Sequence, residues 1–67
     1  MNKYLKSFQY TNSMGYHKEL NVYEKVNGKY PVTLWSLDNG EFCGSGEMTA
    51  QELNDYLKHF GIEEEVK

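Results

Sequence analysis

A tight turn between two strand-forming runs constrains the fold of this 67-residue chain more than any other feature. Asn27 and Gly28 separate residues 20–26 from residues 30–37, and both runs are rich in β-branched and aromatic residues. Asn followed by Gly readily adopts the positive φ angles of a two-residue hairpin turn. We therefore predict an antiparallel hairpin in the middle of the chain.

The second of these runs alternates in a way that leaves its tryptophan off the core. Successive side chains of an extended strand point to opposite faces. One face holds Tyr30, Val32 and Leu34, and the other holds Lys29, Thr33 and Trp35. We expect Trp35, the only tryptophan, to lie on the open face together with Lys29. Exposed aromatic side chains beside lysines are typical of surfaces that bind unpaired nucleic-acid bases. The alternative is that Trp35 packs under a loop or in a dimer interface.

Further turn signals divide the remaining N-terminal part of the chain. Turns are expected at Asp38-Asn39-Gly40 and at Ser13-Met14-Gly15. They leave an opening strand around residues 4–10 and a short fourth strand at residues 41–43. Gly44-Ser45-Gly46 then reads as a bend between strand and helix, because the Gly-Lys-Ser/Thr of a phosphate-binding loop does not follow.

A capped amphipathic helix follows. Thr49 and Glu52 fit a capping box, and Gly61 is placed to end the helix in a left-handed conformation. The apolar stripe consists of Leu53, Tyr56, Leu57 and Phe60. We predict that it packs on Leu20, Val22, Val32 and Leu34. The fold class is α+β, a four-stranded antiparallel meander followed by one C-terminal helix, with a single domain at residues 1–62 and a frayed acidic tail at 63–67.

Size and cysteine content restrict the class of protein. A chain of about 60 residues buries only about 60% of the surface its unfolded form exposes, so marginal stability or a partner subunit is expected. Cys43 is the single cysteine and cannot form an internal disulfide, which favours a reducing, cytoplasmic setting. We expect no membrane partner, because residues 1–8 lack the apolar run of a signal peptide and no stretch is long enough for a membrane span.

Charge is divided unevenly along the chain, although the net charge is -3. Residues 1–37 hold five lysines against two glutamates, and residues 38–67 hold two lysines against eight acidic residues. A basic sheet and an acidic helix would steer an anion to the sheet in spite of the net charge. The chain contains no arginine, so phosphate contacts would depend on lysine alone.

The sequence gives little support for catalysis or metal binding. His17 and His59 lack a local carboxylate and nucleophile in a recognisable arrangement. A metal site would require both histidines and Cys43 to converge from three separate elements. We therefore expect a protein that is not an enzyme, with no metal, no cofactor and no small-molecule substrate.

Three runs followed by a capped helix resemble the positive cofactor 4 family of transcriptional coactivators, and most of all its short bacterial members. The runs are Gly-Tyr-His-Lys-Glu-Leu-Asn at 15–21, Lys-Tyr-Pro-Val-Thr-Leu-Trp-Ser-Leu-Asp at 29–38 and Gly-Ser-Gly at 44–46. The resemblance covers about residues 15–60. It implies a homodimer that binds single-stranded DNA on its outer sheet faces with little sequence preference, in transcription, replication or repair.

The same resemblance assigns roles to individual residues. Trp35 would stack on a base, Lys18 and Lys29 would contact phosphates, and Tyr16 and Thr33 would line the groove. Three features depart from the family: Ser45 replaces a lysine, Thr33 replaces an arginine of some relatives, and the stretch from Gly46 to Thr49 is one residue shorter. RNA is an open alternative to DNA. A different class of function is a small adaptor or inhibitor that binds another protein through the aromatic face or the acidic tail.

Overall fold

The computed structural model describes residues 3–66 and consists of one sheet and one helix. The strands are β1 (Tyr4–Thr11), β2 (His17–Tyr23), β3 (Tyr30–Ser36) and β4 (Phe42–Met48), and the helix is α1 (Ala50–His59). The strands pair antiparallel in the order β1-β2-β3-β4. The predicted meander with a C-terminal helix is confirmed.

The central hairpin has the predicted two-residue turn. Val26 and Lys29 exchange both backbone hydrogen bonds, at 2.8 and 3.1 Å. Between them, Asn27 and Gly28 have φ values of 52° and 83°, as such a turn requires. The preceding strand covers residues 17–23 rather than the predicted 20–26, because Val26 forms only this isolated bridge.

β4 is longer than the sequence predicted, and the expected bend at residues 44–46 is wrong. Gly44, Ser45 and Gly46 lie within the strand, opposite Leu34, Thr33 and Val32 of β3. Pairing with β3 satisfies their backbone groups, and this outweighs the low strand propensity of glycine. The ladder shifts register between Leu34 and Trp35, where Cys43 is an extra residue on β4.

The core lies between α1 and one face of the sheet, as the apolar stripe predicted. Its buried residues are Phe8, Leu20, Val22, Tyr30, Val32, Leu53 and Leu57. Leu34 and Tyr56 are partly buried against them. Phe60 stacks on Tyr10 of β1, with ring centroids 4.0 Å apart. The sheet face away from α1 is called the outer face below.

Both ends of α1 follow the sequence prediction. The Thr49 hydroxyl accepts the Glu52 backbone N–H at 3.2 Å, and the Glu52 carboxylate accepts the Thr49 N–H at 2.9 Å. At the C-terminus, Gly61 has a φ of 77°, and the Ile62 N–H donates to the Leu57 carbonyl at 2.9 Å. These paired bonds form a capping box and a Schellman motif.

The acidic tail folds back on the domain instead of fraying as predicted. The Asn54 side chain bonds both backbone groups of Val66, at 2.7 and 3.0 Å. Glu64 forms an ion pair with Lys6 of β1, and Val66 packs against the core. Residues 63–66 therefore lie against the helix and the first strand, whereas Lys67, Met1 and Asn2 are outside the described residues.

Candidate nucleic-acid interface

One row of side chains crosses all four strands on the outer face. Gln9 pairs with Glu19, Glu19 with Trp35, and Trp35 with Phe42. Directly opposed residues on one face have Cβ atoms about 4.5–5.5 Å apart, so these four side chains are neighbours. We call this set the Trp35 row. The prediction that Trp35 lies off the core face is confirmed.

The aromatic members of the row form a pair. Trp35 and Phe42 have ring centroids 5.3 Å apart and ring planes at 70°, an edge-to-face contact. Phe42 is 54% exposed and Trp35 is half-buried. The indole N–H of Trp35 donates to the Thr33 hydroxyl at 3.2 Å. This bond satisfies the polar atom of the indole and leaves its ring surface for contact.

Sequence reasoning missed Phe42, and the bulge at Cys43 explains why. Gly44 and Gly46 pair with Leu34 and Val32, so their positions point toward α1. Strict alternation would point Phe42 the same way. The extra residue shifts the alternation by one and turns Phe42 to the outer face beside Trp35. The glycine at position 44 was the only local signal of the bulge.

The predicted lysines do not join the Trp35 row. Lys18 lies opposite the buried Ser36 on the α1 side, with its Nζ 3.6 Å from the Cys43 sulfur. Lys6, the other lysine within a strand, also lies on the α1 side, opposite Val22. Lys29 precedes β3, six residues before Trp35, which is about 20 Å along an extended chain.

Lys29 instead acts through its charge on Glu52, in the first turn of α1. The Thr49 backbone N–H is the main cause of the lowered pKa of the Glu52 carboxyl, and the Thr49 hydroxyl and the charge of Lys29 add to it. The expected basic row beside the tryptophan is therefore absent from the described strands, and Glu19 and Glu47 are the charged strand residues that alternation places on the outer face.

At the Trp35 end of the sheet, hydrogen bonds between Asp38 and His17 tie the loop after β3 to the start of β2. The Asp38 carboxylate contacts the His17 ring at 2.9 Å and accepts the His17 backbone N–H at 3.0 Å. That backbone N–H, followed by the His17 ring, lowers the pKa of Asp38. Tyr16 lies next to this pair, is 51% exposed, and has its backbone N–H bonded to the Asn12 side chain.

Thr33 and Trp35 are thus in contact, and Tyr16 lies at the same end of the sheet. An apolar cleft of about 240 Å³ lies on the opposite, α1-facing side, bordered by Leu34, Gly44, Gly46, Met48 and Tyr56.

Residues 3–66 contain no group of three or more His, Cys, Asp or Glu side chains arranged to hold a metal ion. Within that same range, no helix has the length and apolar character needed to cross a membrane.

The chain was compared with protein-family models, with curated proteins and with solved structures, and none of them matches. The resemblance to the positive cofactor 4 family therefore rests on the three sequence runs alone.

Proposed function

We propose that this protein binds single-stranded DNA on its outer sheet face, in the cytoplasm, during transcription, replication or repair. The observation that carries the proposal is the pair of Trp35 and Phe42 on the face that α1 leaves uncovered. Stacking of a base on an aromatic side chain contributes about 1–3 kcal/mol and tolerates any base. Two adjacent platforms can therefore hold neighbouring nucleotides.

The placement of the lysines indicates which interaction dominates. Lys6 and Lys18 lie on the α1 side, so stacking supplies more of the binding than phosphate contacts do. Counterion release scales with the number of phosphates neutralised. We therefore expect only a shallow dependence of the binding constant on salt concentration.

The proposal is tested by titration with a fluorescently labelled oligothymidine at low salt. Trp35→Ala is expected to weaken binding by about 1–3 kcal/mol, because it removes one stacking surface. Phe42→Ala should weaken binding similarly while keeping the indole as an intrinsic probe, whose emission should be quenched by the strand. Tyr23→Ala is the matched control, since Tyr23 follows the same alternation on β2 but lies near Tyr4 at the other end of the sheet.

Two results would refute the proposal. One is unchanged indole emission and unchanged anisotropy of the labelled strand at micromolar concentrations. The other is equal loss of binding in the Trp35 and Tyr23 variants, because that would disconnect binding from the Trp35 row.

A second candidate function is an adaptor or inhibitor that binds another protein. It is favoured by the charges of the outer face, where alternation places Glu19 and Glu47 while the strand lysines face α1. An aromatic patch with acidic neighbours suits a basic protein surface. A stoichiometric protein partner that survives nuclease treatment and is lost in Phe42→Ala, together with no oligonucleotide binding, would support this function over the first.

A further inference from the structure

Glu19 is the only charged member of the Trp35 row. It lies directly opposite Trp35 on β2 and is half-buried. The amide nitrogen of Gln9 donates to one carboxylate oxygen of Glu19 at 3.1 Å. The side chain is therefore held by β1, with its second oxygen free of that bond, at the strand position directly opposite Trp35.

An ionised carboxylate accepts hydrogen bonds and donates none. A base stacked on Trp35 would present its Watson–Crick edge to such neighbours, which is how proteins commonly read unpaired bases. Guanine offers two adjacent donors there, the N1–H and the N2 amino group, and these match the two oxygens of a carboxylate. Thymine offers one N–H between two carbonyl oxygens, which repel a carboxylate. Adenine and cytosine each place a single amino donor beside a ring nitrogen acceptor.

We infer that the outer face prefers guanine, stacked on Trp35 with its N1–H and N2–H donating to the Glu19 carboxylate. This inference rests on the proposed function and adds a base preference to it. Gln9 acts as a positioning residue, because it contacts the carboxylate and not the base. Any base can stack on Trp35, and the Glu19 carboxylate adds a hydrogen-bond acceptor that favours guanine.

The test compares three short strands that differ at one central position. Oligothymidine with a single central guanine should bind on the order of ten-fold more tightly than oligothymidine alone, which is the usual value of a good bidentate contact. The same strand with hypoxanthine in place of guanine keeps the N1–H and lacks the N2 amino group. It should fall between the other two.

Two variants separate base recognition from charge. Glu19→Gln removes a negative charge from the outer face, so by electrostatics alone every strand should bind more tightly. If the carboxylate accepts from guanine, that variant instead binds the guanine strand more weakly and loses the ten-fold preference. Glu47→Gln is the matched control, because Glu47 pairs with Pro31 at the other end of β3 and carries the same charge. It should keep the preference.

The outcomes distinguish this inference from the function on which it rests. Equal affinity for the guanine and thymine strands, with normal quenching of the indole, would overturn the guanine preference and leave single-strand binding intact. A preference that persists in Glu19→Gln would also overturn it. Failure of all three strands to bind would overturn both proposals together.

Discussion

Tyr10 illustrates how a single partly buried side chain makes the stability of the domain depend on pH. Its hydroxyl bonds that of Tyr56, and its ring stacks on Phe60. Burial, followed by the contact with Tyr56, raises the pKa of Tyr10 well above its ordinary value. The neutral form is thus favoured in the folded state, so its contribution to stability is complete below about pH 10 and is lost as the pH rises through the folded pKa.

We therefore predict that Tyr10 ionises only at a pH well above the ordinary range for tyrosine in the folded protein. The measurement is the near-ultraviolet absorbance of tyrosinate as a function of pH. Tyr10→Phe should remove this late transition, whereas Tyr16→Phe should leave it in place because Tyr16 is not part of the Tyr10–Tyr56 contact. A late transition that survives in Tyr10→Phe would contradict the assignment.

At the scale of elements, α1 depends on its N-terminal cap. The Thr49 hydroxyl accepts the Glu52 N–H, one of the donors that a helix leaves without an internal partner. We predict that Thr49→Ala lowers the free energy of unfolding by about 1 kcal/mol, measured by urea denaturation. Thr49→Ser keeps the acceptor and is the control. Equal loss in the two variants would show that the hydroxyl is not the source of the stability.

The elements differ in how far local sequence determines them. The capping box, the Asn27-Gly28 turn and the Schellman motif depend on contacts within a few residues, and sequence predicted all three. The length of β4 and the orientation of Phe42 depend instead on pairing with β3 and on the bulge at Cys43. Such non-local pairing leaves no clear periodic signal in a segment that contains two glycines.

The lysines of the candidate site show a different limit. Lys18 has the same parity as Leu20 and Val22, so alternation along β2 alone would have placed it on the α1 side. It was assigned to the DNA groove only by the family resemblance. The role taken from the family therefore placed Lys18 on the outer face, whereas alternation along β2 places it on the α1 side.

Across the whole molecule, the basic and acidic halves of the sequence do not form separate faces. Lys6 pairs with Glu64, the charge of Lys29 acts on Glu52, and Lys25 lies over the Tyr30 ring at 5.1 Å. Lys6 and Lys25 therefore contact partners on the α1 side of the sheet. The outer face is left with aromatic and uncharged polar residues, together with Glu19 and Glu47. This distribution is the reason we expect stacking to dominate strand binding.

We propose that the protein is a homodimer. β4 is an edge strand, and the apolar cleft beside it is open because Gly44 and Gly46 have no side chains to fill it. A domain of 7.8 kDa has little core of its own, so covering this cleft with a second copy would add apolar burial.

We predict a particle of twice the chain mass by sedimentation equilibrium, and an unfolding temperature that rises with protein concentration, because association stabilises the folded state by mass action. Gly46→Lys places a charge in the cleft, and a Cβ at this position meets no atom within 4 Å, so the monomer should still fold. This variant should be monomeric, whereas Ser45→Lys, one residue away and opposite Thr33 on the outer face, should remain dimeric. A single-chain mass for the unmodified protein at all concentrations would contradict the dimer, and a dimeric Gly46→Lys would exclude the cleft as its interface.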